Sequence, residues 1–121
     1  MDKMQTLQSF WSGFGLKAYD ENTVPDDAVL PYLTYNVVVA NFDEPVMMTA
    51  SLWYKSTSWA AISQKALEIN DAIGVGGVTV PFNGGMLWIK RGKPFAQRVS
   101  DADDTIRRIY LNIEAEYIAS T

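Results

Sequence analysis

Residues 58–74 read SWAAISQKALEINDAIG. Trp59, Ile62, Ala66, Ile69 and Ile73 recur at helical spacing and form one apolar stripe, and Ser63, Lys65, Glu68 and Asp71 lie largely outside it. Ser58 is placed to cap this helix, because its hydroxyl can accept from an early N–H that has no partner in the helix. Gly74 can take the left-handed turn that ends it. Strand-like runs flank the helix on both sides, so it is expected to cover one face of a sheet.

On its N-terminal side, Pro31 opens a strand of β-branched and aromatic residues, with Leu33, Tyr35, Val37 and Val39 on one face. Asn41 to Pro45 has turn chemistry, and Val46 to Lys55 returns, with Val46, Met48, Ala50, Leu52 and Tyr54 toward the core. The short connection predicts an antiparallel hairpin. Its other face carries Tyr32, Val38 and Trp53, apolar enough to call for a second layer or a neighbouring subunit. On the C-terminal side, Gly76-Gly77 leads to Val78, Val80 and Phe82, and Asn83-Gly84 then predicts a tight hairpin back through Met86 to Lys90. Thr105 to Ile118 reads as a long strand with Ile109, Leu111, Ile113, Ala115 and Tyr117 inward. At the start, Asp2 to about Ser12 reads as a short helix. Asp2 and Gln5 supply a capping box, and Met4, Leu7 and Trp11 a stripe ended by Gly13 and Gly15. Two stretches lack a clean period, residues 16–30 and residues 91–104. Both are expected to be irregular, the first long enough to hint at use in contacts and the second with a short strand near Phe95 to Val99. The order gives an α+β fold: one domain over residues 1–121, with a mostly antiparallel sheet of about four or five strands. The sheet packs on the central helix and the short N-terminal one.

A 121-residue chain with 48% apolar residues is long enough to bury a core. It has no cysteine and no histidine, which excludes thiol chemistry and disulfides and removes the commonest general base and transition-metal ligand. No apolar run approaches the roughly 20 residues of a membrane span, and MDKMQTLQ lacks the apolar stretch of a signal peptide. A cytoplasmic site of synthesis is expected. The net charge of −4 is uneven: residues 1–54 carry −5 and residues 55–121 carry +1. Such an asymmetry is either solvated surface or the means by which one copy's acidic side meets the next copy's basic side.

Four groups of residues invite a chemical reading. Asp101, Asp103 and Asp104 precede a strand but lack the glycine bend and ordered spacing of a calcium loop, and read better as a solvated turn. The glycines at 74, 76, 77, 84 and 85 are followed by no Lys-Ser or Lys-Thr pair and read as hairpin glycines, not a phosphate cradle. Glu114 and Glu116 share a strand face at about 7 Å, a spacing some glycosidases use, without any other mark of a sugar site. Lys90, Arg91, Lys93 and Arg98 interleave with Trp88 and Phe95 like a nucleic-acid patch, in a chain too acidic overall for tight general binding.

Three stretches together resemble the tail terminator (tail-completion) proteins of long-tailed bacteriophages. They are AYDENTVPDDAVLPYLTYNV at 18–37, SLWYKSTSWAAISQKALEINDAIG at 51–74, and Gln97 to Asp101 running into IRRIYLNIEAEY at 106–117. The similarity spans roughly residues 16–118 and lies in order and spacing, not in one diagnostic motif. It implies a structural virion protein forming a hexameric ring at the head-proximal end of the tail. Such a ring caps the tube, stops its polymerisation and joins it to the head. The implied partners are further copies of itself, the tube protein, the head–tail connectors and transiently DNA in the lumen, with no membrane, no cofactor and no catalytic or metal residue. On that reading Lys90, Arg91, Lys93, Arg98, Asp101, Asp103, Asp104, Asp26 and Asp27 are the candidate interface or lumen residues. The alternatives are another head–tail connector, or a non-viral binding module or Asp/Glu enzyme.

Overall fold

A computed structural model describes residues 2–36 and 45–119. The element order is α1 (Lys3–Ser12), β1 (Lys17–Asp20), β2 (Tyr32–Tyr35), β3 (Pro45–Lys55), α2 (Ala60–Ile73), β4 (Val78–Phe82), β5 (Gly85–Val99) and β6 (Ile106–Ala119). The strands form one sheet in the order β1-β2-β3-β6-β5-β4, antiparallel throughout except for the parallel β1–β2 pair. The α+β class therefore holds, with six strands where four or five were expected.

The long periodic elements follow the sequence pattern. In α2, Ile62, Ala66, Ile69 and Ile73 are buried, and in β3 and β6 so are Met48, Ala50 and Leu52, and Ile109, Leu111, Ile113, Ala115 and Tyr117. Both helices meet this one face of the sheet. The β2–β3 and β4–β5 pairs are antiparallel as expected, and Gly84 takes φ 95 in the second turn. The expected strand residues Val37 to Val39 and the turn before Pro45 lie outside the described residues.

Four expectations are corrected. Residues 16–30 are not all loop, because Lys17–Asp20 pairs with Tyr32–Tyr35 as an edge strand. In residues 91–104 the expected strand near Phe95 to Val99 is present, but it continues β5, and only the turn before Ile106 remains irregular. Met4 does not join the buried stripe of α1, where Thr6, Leu7 and Trp11 are buried and Met4 is 56% exposed. Trp59, not Ser58, is the N-cap of α2, with no side-chain bond of its own. The Ser58 hydroxyl instead accepts from the Ala60 N–H at 3.1 Å, a serine turn one step before the helix. The Asp2–Gln5 capping box of α1 is present as read.

Helix α1 contacts both edge strands of the sheet, β1 and β4. The Thr6 hydroxyl donates to the Pro81 carbonyl of β4 at 3.1 Å, and the Gln8 amide donates to the Ala18 carbonyl of β1 at 3.1 Å. The Tyr35 hydroxyl of β2 donates to the Gln8 side-chain oxygen. A sheet whose two edges reach one helix is strongly curled, and α1 fills the gap. That placement covers part of each edge, which strands otherwise leave open to unwanted pairing.

Burial pushes the phenols of Tyr35, Tyr54 and Tyr117 above the ordinary value of 10.0, with the carboxylates of Asp20 and Glu68 adding to the first two. Each raised group favours the neutral phenol in the folded state. Its contribution is therefore fully present below the unfolded value and is lost as pH rises through the folded one. Urea midpoints should fall as pH rises above about 10, and the fall should shrink in Tyr35→Phe. Equal pH dependence in the two proteins would show that Tyr35 plays no part.

Candidate interaction surface

The candidate cations are carried by β5, and a bulge decides where they point. Up to Arg91 the strand is in register with β6, with Lys90 opposite Glu114 and Arg91 opposite Ile113. Pairing resumes at Ala96 opposite Leu111, so Gly92 to Phe95 stand against Asn112 alone. The Asn112 amide donates to the Pro94 carbonyl at 3.1 Å, and Gly92 lies so close that a Cβ there would sit 2.8 Å from Asn112. Three extra residues are an odd number, which exchanges the two faces of the strand. Leu87, Ile89 and Arg91 face the helices before the bulge, and Ala96 and Arg98 face them after it.

Arg91 and Arg98 thus share the α2 side. Arg91 Nη1 donates to Asn70 Oδ1 at 2.9 Å, and the Arg98 guanidinium lies 4.8 Å from the Trp59 ring centre, which Arg107 also approaches at 5.3 Å. Lys90 lies on the opposite face, 3.7 Å from Glu114 and over the Trp88 ring at 4.3 Å. Lys93 is exposed in the bulge. The four cations expected to form one patch are therefore divided between two faces and a rim.

The acidic candidates separate as well. Asp101 accepts from the Asp103 N–H at 2.9 Å, and Asp103 accepts from the Thr105 N–H and hydroxyl at 2.8 and 2.7 Å. Those bonds, led by the hydroxyl's, hold the Asp103 carboxyl below its ordinary range. The Asp104 carbonyl accepts from Arg107 at 2.9 Å. Asp101 and Asp103 thus cap their own turn, as the solvated-turn reading expects, while Asp104 takes part only through its backbone carbonyl. Among the described residues no group of three or more acidic side chains is arranged to hold a metal ion. Asp26 and Asp27 lie exposed at the tip of the 21–31 loop, which the Ala28 N–H closes onto the Pro25 carbonyl at 3.1 Å.

The face away from the helices carries a band the sequence only hinted at through Tyr32 and Trp53. Tyr19 packs edge-on against Tyr32 at 5.7 Å, Tyr32 lies 6.5 Å from Trp53, and Arg108 lies over Trp53 and Tyr110 at 4.5 and 5.6 Å. Trp53 Nε1 donates to the Thr34 hydroxyl and Arg108 Nε to the Ser51 hydroxyl, at 2.9 and 3.1 Å. Neighbouring side chains thus satisfy and half-bury one another across four strands. The expected need for a covering layer is met in part from within the chain.

This fold also occurs in a virion. It is similar to that of a chain in the virion of a native gene transfer agent particle, with a TM-score of 0.57 and 21% identity. The match covers 94% of this chain and 90% of that one, so it extends over nearly the whole of both. No protein-family model and no curated protein matches the sequence. The likeness is one of fold.

Proposed function

We propose that this chain is a structural virion protein that assembles as a ring on the head-proximal end of a phage-like tail tube. There it ends tube polymerisation and presents the head–tail joining surface. The observation that carries this reading is the fold shared with a gene transfer agent virion chain over 94% and 90% of the two lengths. The resemblance of residues 16–118 to tail terminators narrows it from virion protein to tube cap. No catalytic group or cofactor belongs to this reading. Its partners are other copies of the chain, the tube protein and the connector above it, with cations of β5 available to DNA in transit. A different head–tail joining component would share the same fold likeness and differs in binding the portal side instead of the tube.

Light scattering on a sizing column over a concentration series, followed by electron microscopy with purified tail tubes, tests the proposal. A species of about six times 13.5 kDa, decorating tube ends and blocking their growth, is expected. A chain that neither oligomerises nor binds tubes would overturn it.

A further inference from the structure

We infer that the groove between α2 and the open edge of β5 receives the acidic loop tip, Pro25 to Val29, of a second copy of this chain. The inference rests on the self-assembly proposed above and names the two surfaces that meet.

The groove comes from unequal strand lengths. Strand β4 pairs only with Gly85 to Ile89, so from Lys90 to Val99 the outer edge of β5 has no strand neighbour among the described residues. Beside that edge lie two adjoining depressions of about 420 and 550 Å³, which share Asn70 and Phe95. Their walls are apolar where α2 contributes Ala66 and Leu67 and β5 contributes Phe95. Leu67 is 58% exposed and Val75, at one end, is 96% exposed. Arg91, Lys93 and Arg98 ring this surface, and Lys90 and Glu114, paired with each other at 3.7 Å, line its far side. The two ion pairs among the described residues are Lys65–Glu68 and Lys90–Glu114, so none of the three has a carboxylate within 4.0 Å. Arg91 is bonded to a neutral amide and Arg98 lies over a ring, so neither guanidinium is paired directly with a carboxylate.

The loop tip is the complement. Glu21, Asp26 and Asp27 likewise have no cation within 4.0 Å among the described residues, and Val29 next to them is 79% exposed. The tip springs from the β1–β2 end of the sheet, and β3 and β6 stand between β2 and β5 in the strand order. A tip and a groove on different parts of one chain make a heterologous contact, which closes into a ring when the rotation allows. In that contact Asp26 and Asp27 meet Arg98 and Lys93, and Val29 covers Leu67 and Phe95. The charges set orientation and encounter rate, and the apolar contact holds the pair.

The test uses the full chain with Lys93→Glu/Arg98→Glu and, separately, Asp26→Arg/Asp27→Arg, all at exposed positions, with circular dichroism confirming that each folds. Each variant alone should need a concentration about tenfold higher or more to assemble, as read by light scattering at low salt. An equal mixture of the two should regain the wild-type mass, because alternating copies restore opposite charges at every contact. Variants that assemble like the wild type, or a mixture that stays dissociated, would overturn the inference while leaving the ring proposal to the tube-capping assay. A wild-type chain that remains monomeric at every concentration overturns it too, even if it caps tubes. Loss of binding to short duplex DNA in Lys93→Glu/Arg98→Glu with unchanged self-association would assign the groove to nucleic acid instead.

Discussion

Replacing Trp11 with alanine should destabilise the protein by about 3–5 kcal/mol, a large share of the roughly 5–15 kcal/mol that holds a domain of this size together. Trp11 is 1% exposed and sits in α1 with Phe10 and Phe14 at ring separations of 4.9 and 6.5 Å. Its loss removes transfer energy and leaves a cavity, which adds to the cost because surrounding atoms relax only in part. The site matters further because α1 is the element that meets both β1 and β4. A loosened α1 uncovers two sheet edges at once, so the variant should also gain a tendency to aggregate. Met4→Ala is the control, expected within about 0.5 kcal/mol because Met4 is 56% exposed. Urea unfolding followed by tryptophan-independent circular dichroism reads both. Equal midpoints for the two variants would mean that α1 does not hold the curled sheet closed.

Gly77→Ala should cost about 2–4 kcal/mol, combining a positive-φ penalty of about 1 kcal/mol with overpacking of about 1–3 kcal/mol. Gly77 has φ +83, and a Cβ there would lie 2.6 Å from the Ile89 carbonyl oxygen and 2.8 Å from the Lys90 Cγ and Trp88 Nε1. The carbonyl belongs to β5 and cannot swing away without breaking strand pairing. Gly76→Ala, one residue earlier, should be within about 0.5 kcal/mol of wild type. Nothing lies within 4 Å of its would-be Cβ, and its φ is not positive. Thermal melts of the pair give a direct comparison. A Gly77→Ala protein as stable as Gly76→Ala would show that the turn can move away from β5.

The same two glycines show where sequence reading reaches its limit. Gly76-Gly77 is legible as a turn, since both residues allow unusual backbone angles. Which of them is required depends on how closely β5 passes, and β5 lies outside any local window. The interface candidates divide in the same way. Asp101 and Asp103 were legible as turn residues because their carboxylates accept from backbone N–H groups two positions on. Arg91 and Arg98 were legible as charged, but seven positions apart on a regular strand they would face opposite ways. The groove was not legible at all, because it exists only where β4 stops short of β5 and α2 passes beside the gap.

What the sequence determined by itself was the helices, the buried faces of α2, β3 and β6, and the α+β class. Periods of 3.6 and 2 record which side of an element meets the core, and they are local. The tertiary structure alone decided the rest. Lys17 to Asp20 is a strand because β2 supplies its backbone partners, four residues being too few to show a period. RGKPF carries the signals of a break, yet it is bridged by pairing on both sides to β6, and its three extra residues turn Arg98 to the same side as Arg91. Strand partners, register shifts and sheet curl join residues far apart in the chain, and no spacing within one segment encodes them.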